Sequence, residues 1–506
     1  MIYINLKFPS AVVFAMAGSK KIISSSMKHL LTFLSALFIL NCGYAQKKPK
    51  LSASKQAVIQ SVDTKKNELT NLSDEVWRYA EVAFQETKSS KALADYAESK
   101  GFKVERGVAG IPTAFVASYG SGKPVIGVLG EFDALPGISQ KAQPTKEAYQ
   151  EGGAGHGCGH NLFGVGSLGA ALSIKELIEQ GKIKGTIKFF GTPAEESGNG
   201  KVYMARAGLF NDLDLCFDWH PGTHTEAATQ SSTALVEYNI EFFGKASHAA
   251  GDPWNGRSAL DGLELFTDGI NMLREHIKPS SRMHYVIQNG GDVPNVVPEY
   301  AKAWIWIRDS KREEMDKIVE RMKDIAKGAA LMAGVESKAT LLSGTYEILV
   351  NRTGAEYMHR NLEALGPITY TDQEIAFAKK IQEISGVPQD GLDGSIGRLR
   401  EPSDLTGGGS TDTGDVSWVV PTIRMTATTG ALNAPWHSWA EVACAGMSIG
   451  HKGMLQAAKA MGMTIVDAFE NEKLRTDARA EFDERRKGHT YKAYLSDGPP
   501  PIKSGK

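Results

Sequence analysis

The heptapeptide Gly155–Asn161, GHGCGHN, sets His156, Cys158 and His160 among glycines. A run of this kind reads as a metal site, a reactive thiol or a polar glycine loop. What decides is whether other donors can meet it. The chain offers Glu196 in GTPAEESGNGK, His220 in DWHPG and His437 in NAPWHSW. Thiolate, imidazole and carboxylate together suit zinc or manganese. The set Cys158, His160, Glu196, His220 and His437 exceeds the need of one tetrahedral zinc. A shared thiolate or water lets it hold two ions about 3.5–4 Å apart, a pair that polarises a carbonyl and lowers the pKa of a shared water to about 7. Glu195 adjoins Glu196 and projects in another direction, which leaves it free as the general base that takes the water's proton to the leaving amine. A Glu-Glu pair alone is more often an exposed polar turn. Directly after the apolar IKFF and a proline, the balance moves toward function. His248, in GKASHAAGDPWNGR, would by itself read as a surface histidine. It becomes an oxyanion donor if its segment closes over the metals.

Strands and helices alternate in a way that predicts an α/β fold. Three apolar runs read as buried strands, Pro124–Asp133, Thr186–Glu196 and Leu213–Pro221. They end in Glu131 and Asp133, in Glu195 and Glu196, and in His220. Sites in open α/β sheets form at the carboxyl ends of strands, and three such endings are poorly explained by solvent exposure alone. NLFGVGSLGAALSIKELIEQG reads as a helix capped by Gly181. Cys158 and His160 therefore precede a helix N-terminus, which favours a thiolate. From 234 to 350 the pattern changes to β-α-β-β-α-β, the ferredoxin-like arrangement, with an open sheet edge suited to dimerisation. The expected organisation is a catalytic domain of mostly parallel sheet flanked by helices, residues 55–233 and 351–485. The inserted lid or dimerisation domain is 234–350, and a tail follows at 486–506, of which DGPPPIKSGK (497–506) is expected to be disordered.

The 506 residues are 42% hydrophobic and 23% charged, with a formal net charge of -1. This is ordinary for a globular protein and gives no basic face for nucleic acid. MKHLLTFLSALFILNCGYAQ has a basic start, a short apolar run and small residues at Gly43 and Ala45. It predicts a secretory signal over residues 1–45, a periplasmic or secreted destination and no transmembrane anchor. Met27 begins a complete signal by itself, so 1–26 is an over-extended start or a longer leader. Asn41 is a poor residue before a lipidated cysteine, which makes a lipoprotein at Cys42 the lesser reading. Cleavage leaves Cys158, Cys216 and Cys444, an odd number.

GEFDALPG, GHGCGHN, GTPAEESGNGK, DWHPG, GKASHAAGDPWNGRSALD, GGDVPNVVPE and PWHSW with SIGHKGM are jointly specific. Over about residues 60–480 the chain resembles the dinuclear aminoacylase and carboxypeptidase G-like metallopeptidases, in the branch that uses a cysteine ligand. The resemblance implies two divalent ions, Zn2+ or Mn2+, on Cys158, His160, Glu196, His220 and His437, with Cys158 bridging. It makes Glu195 the base and His248 a lid histidine that reaches a neighbouring subunit's site. Asn295 becomes a lid residue that recognises the substrate carboxylate. It also implies a homodimer through the lid, or a hetero-oligomer with a homologous subunit, cleaving an N-acyl amino acid or aminobenzoyl-glutamate amide. Alternatives are a dipeptidase or deacylase of other specificity and a non-catalytic metal-binding protein. Asn161 stands where the branch usually has aspartate. STDTGDVSW replaces the usual Ser-Glu-Asp-Phe loop, so Asp412 and Asp415 have no assigned role, nor do His156 and Asp133.

Overall fold

The computed structural model describes residues 51–403 and 409–502. The expected signal, Cys42 and part of the glycine loop before Ser410 lie outside them. Three helices, α1 (Ala53–Thr64), α2 (Lys66–Tyr79) and α3 (Thr87–Ser99), lead into β1 (Lys103–Arg106), β2 (Phe115–Gly120) and β3 (Val125–Glu131). Then come α4 (His160–Glu179), β4 (Thr186–Thr192), the short α5 (Glu195–Gly198) and α6 (Gly200–Arg206), β5 (Leu215–Gly222) and β6 (Glu226–Ala227). The lid comprises β7 (Ala234–Phe243), α7 (Ala259–Leu273), β8 (Arg282–Asn289), β9 (Tyr300–Asp309), α8 (Arg312–Ala333) and β10 (Glu336–Thr345). The chain returns through α9 (Arg352–Leu365), α10 (Asp372–Ser385), α11 (Thr413–Val419), β11 (Thr422–Thr428), α12 (Trp439–Ala445), α13 (Ser448–Glu470) and α14 (Glu472–Arg486).

Among the described residues the large sheet runs β1-β2-β4-β3-β5-β11-β6. Its centre, β4-β3-β5-β11, is parallel, and the outer pairings are antiparallel. Every residue of β3 is buried, because helices cover both faces and no polar alternation is required. α4 is buried on nearly all sides between this sheet and α13, so its sequence is apolar all round. The lid sheet runs β10-β7-β9-β8, all antiparallel, which is the expected ferredoxin-like order. Ile240, Phe242, Ile305 and Ile307 face α7 and α8 in a hydrophobic core of the lid's own. Among the described residues no helix is long and apolar enough to cross a membrane.

Two expectations need correction. The last lid strand stops at Thr345 instead of continuing to 350, because the Tyr346 N–H donates to Asp415 Oδ2 at 3.1 Å and leaves the ladder. The segment just before the stretch expected to be disordered packs on lid and body, and the described part of that stretch, through 502, is held at Gly498. Tyr491 and Tyr494 stack around Tyr346 with ring centroids 5.1 and 5.0 Å away. Tyr491 Oη donates to Asp415 at 2.8 Å, Tyr494 Oη to Asp316 in the lid at 2.6 Å, and Arg206 to the Gly498 carbonyl at 2.7 Å. Tyr491 and Tyr494, packed on Tyr346, supply aromatic area and a polar handle each, which anchors the segment leading into the stretch that composition marks as loose.

Candidate metal centre

The expected donors converge at the carboxyl edge of the parallel strands. Cys158 lies in the loop before α4, His160 at its first residue, Glu196 in α5 just beyond β4, and His220 near the end of β5. His437 comes from the loop before α12, with φ +54°, and its N–H donates to the Gly157 carbonyl at 3.1 Å. Glycine is required twice in this loop. A Cβ at Gly157 would sit 2.4 Å from Ile138 Cδ1, and Gly159 has φ +74° with Pro221 2.9 Å from where its Cβ would stand.

The donors form two triads that share the thiol: Cys158, His160 and His220, and Cys158, Glu196 and His437, each with ligand atoms within 4.8 Å of one another. Cys158 Sγ is 3.5 Å from His220 Nε2, and His437 Nε2 is 3.6 Å from Glu196 Oε2. Ligand atoms held about 2.0–2.3 Å from one zinc fall at such separations. Proton positions agree. His160 Nδ1 donates to Asp133 Oδ1 at 2.9 Å, and His220 Nδ1 to the Pro221 carbonyl at 2.7 Å, which leaves both Nε2 atoms for a metal. His160 Nε2, Glu196 Oε1 and Glu131 Oε2 are buried without hydrogen-bond partners. Orphaned polar atoms of this kind are what a cation would satisfy. The residues therefore fit two divalent ions.

The electrostatics are those of an acid-rich pocket. Burial, then Glu131 and Glu196, push the Glu195 carboxyl well above the ordinary carboxylate range. Burial also raises Glu196 to about 7 and lowers His220 to about 4. Burial favours the neutral thiol of Cys158, with Glu196 and Glu195 acting in the same direction, so its pKa rises. Without a metal, desolvation outweighs the helix dipole that favours a thiolate, and a bound cation would reverse it.

His248 and Asn295 do not join the centre. His248 is exposed, its Nδ1 accepts from the Ala250 and Gly251 N–H groups, and the Ala249 N–H donates to the Asn295 carbonyl at 3.0 Å. The two stand on separate lid loops, β7–α7 and β8–β9, that pair with each other through the His248–Val296 bridge. His156 is buried with Nε2 on the Val76 carbonyl at 3.1 Å, a packing role. Asn161 Nδ2 donates to Ser73 Oγ and the Ala445 carbonyl, tying α4 to its neighbours. Cys158, Cys216 and Cys444 are all buried and unpaired.

Sequence reasoning missed two supports. Lys201, in GNGK, is fully buried, and its Nζ lies 2.6 Å from both Glu131 Oε1 and Asp412 Oδ1. Burial would raise the Glu131 carboxyl, but Lys201 and His160 prevail and hold it well below the ordinary range. Glu86 accepts from the Ala194 N–H at 2.9 Å, bracing the φ +64° turn that presents Glu195. The only sequence signal for either was a charge set among small or apolar residues.

A buried thiol shared by two triads, with a carboxylate to spare, on a parallel sheet with an inserted ferredoxin-like lid, defines a metal-dependent amide hydrolase. The family model described as Peptidase family M20/M25/M40 matches residues 127–464, and the chain belongs to that family. It is similar to one of the two kinds of p-aminobenzoyl-glutamate hydrolase subunit of Escherichia coli (strain K12), 38% identical over 437 residues, 81% of this chain and 90% of that protein. It is also similar to the Xaa-Arg dipeptidase of Mus musculus, 30% identical over 451 residues, 86% and 93% of the two chains. Its fold matches the crystal structure of a dinuclear metal-binding M20 peptidase from Bacillus subtilis with TM-score 0.54 at 17% identity, covering 80% of this chain and 99% of that one.

Proposed function

We propose that the enzyme hydrolyses the amide of an N-acyl amino acid of the aminobenzoyl-glutamate type. The observation that carries the chemistry is the pair of donor triads meeting at Cys158, with Glu195 beside Glu196 and outside both. In this reading Cys158 is shared, His160 and His220 complete one position, and Glu196 and His437 complete the other. Zn2+ or Mn2+ suits this mixture of sulfur, nitrogen and carboxylate. When bound, the ions polarise the scissile carbonyl and acidify the attacking water. Glu195 receives the water's proton and delivers it to the departing amine, and bound cations would bring its carboxyl down from the raised pKa it has without them. Asp133 fixes the His160 tautomer, and Lys201 offsets the negative charge that gathers behind the site.

The substrate class rests on the 38% identity to a p-aminobenzoyl-glutamate hydrolase subunit. Similarity to a dipeptidase favours a second reading, an aminoacyl amino acid. His248 and Asn295, adjacent on the lid and in none of their own chain's donor groups, are read as reaching a partner's site, where His248 stabilises the oxyanion and Asn295 binds the substrate carboxylate. The assembly is then a homodimer through the lid, or a pairing with a homologous subunit, since the bacterial relative is itself named as one. Residues 1–45 are read as a signal that sends the enzyme to the periplasm. The deciding experiment is amine release by purified, metal-quantified enzyme from aminobenzoyl-glutamate, set against a panel of acyl amino acids and dipeptides. Preferential cleavage of aminobenzoyl-glutamate supports the proposal. Cleavage confined to dipeptides replaces it with the second reading.

A further inference from the structure

Glu131 divides its two oxygens between different neighbours. Oε1 accepts from Lys201 Nζ at 2.6 Å, deep in the protein. Oε2 is buried, has no hydrogen-bond partner, and lies 3.0 Å from His160 Nε2, which has none either. Because His160 Nδ1 donates to Asp133, a neutral His160 ring presents a lone pair at Nε2. At that distance either a proton on Nε2, which makes the ring an imidazolium, or a metal cation must join the two atoms, and a metal bound to His160 takes the proton's place. Donors bonded to one zinc at about 2.0–2.2 Å lie about 3.0–3.5 Å apart over the angles of five- and four-coordinate sites. Glu131, His160 and Glu195 also present ligand atoms within 4.8 Å of one another. We propose that Glu131, held through its other oxygen by Lys201, is a further metal donor beside His160. The inference rests on the metal-centre reading above and is independent of the substrate.

Glu131→Gln and Asp412→Asn provide the test. Each removes one negative charge from the same network, and each leaves Lys201 one carboxylate partner, so a purely electrostatic role predicts a loss in both, graded only by distance, with an unchanged cobalt spectrum. Zinc per chain is measured by elemental analysis, zinc affinity by competition with a chelator, and donor number by the visible absorption of the cobalt(II)-substituted protein. Glu131→Gln is expected to weaken one zinc by at least 10–100-fold, the scale on which even outer partners of a metal matter, and to alter the cobalt band intensity. Asp412→Asn should stay within a few-fold of wild type and keep its spectrum. Equal effects in the two variants, or a wild-type spectrum in Glu131→Gln, overturn the proposal. A second measurement guards against misfolding. In Lys201→Met/Asp412→Asn, the Glu131 charge has no partner but a bound cation, so zinc should raise the unfolding midpoint more than in wild type. An equal rise overturns the proposal. Wild-type hydrolysis of aminobenzoyl-glutamate is followed alongside: two bound zincs with no cleavage defeat the substrate reading alone, whereas no bound zinc defeats both.

Discussion

Replacing Lys201 by methionine keeps most of the unbranched side chain, one atom shorter, and removes the charge. Its ammonium lies 2.6 Å from a carboxylate oxygen of Glu131 and 2.6 Å from one of Asp412, so those oxygens are at most about 5 Å apart. Two negative charges at that separation repel by about 3 kcal/mol at an effective dielectric constant of about 20. Independently, breaking a buried ion pair from one side costs about 3–5 kcal/mol. The metal-free variant should therefore lose about 3–5 kcal/mol of apparent unfolding free energy at pH 7, read by urea titration with tryptophan fluorescence and far-ultraviolet circular dichroism. The sign of the pH dependence follows. The stranded carboxylates have folded pKa values above their unfolded ones, so proton uptake relieves the folded state, and the penalty shrinks as pH falls toward 5. Adding Asp412→Asn removes one stranded charge and should restore more than half of the loss. A loss below about 1 kcal/mol, an equal loss at both pH values, or strict additivity in the double variant would refute a tightly coupled buried network.

The other predictions concern catalysis, metal content and acid stability. Glu195→Gln should lower turnover by about 10²–10⁴-fold with metal content unchanged; turnover within a few-fold of wild type would remove its role as base. Cys158→Ser should hold fewer than two metals per chain by elemental analysis, and full occupancy would show that the thiol is not shared. Burial opposes ionisation of Glu374, but hydrogen bonds from Lys452, Ser448 and Thr371 prevail and hold its carboxyl at about 2 against an ordinary 4.5. That stabilisation is complete above 4.5 and fades as pH falls toward 2. Glu374→Gln should thus cost about 1–2 kcal/mol at pH 7, allowing for solvent screening, and clearly less at pH 3. Urea midpoints at the two pH values check this, and a constant difference contradicts it.

Much of this architecture could be read from apolar runs and their endings. β3, β4 and β5 announced themselves because strands covered on both faces have no room for polar residues, so the acids and histidine at their ends stood out. The lid was legible through alternation in β7 and four-and-three spacing in α7. Lys201 was not, since a lysine among glycine and asparagine looks like a solvated turn. Its burial depends on Glu131, 70 residues earlier, and Asp412, 211 residues later, which no local pattern links. The Cys158 environment was legible only in part for a related reason: a helix start is visible in sequence, whereas the desolvation that outweighs it without a metal is created by distant segments.

The order in which the donors occur along the chain bears on how the enzyme is made. Cys158, His160, Glu196 and His220 all precede the lid, while His437 follows it and seats its backbone on Gly157. β11, which pairs with β5, is likewise a late arrival. A nascent chain therefore translates the entire lid before its second triad can close, and the tyrosines that brace lid to body come later still. Such long-range pairings are slow to form. Because metal binding adds its free energy only to a conformation that presents all the ligands, the two-ion state forms only after the segment carrying His437 has folded back past the lid onto Gly157.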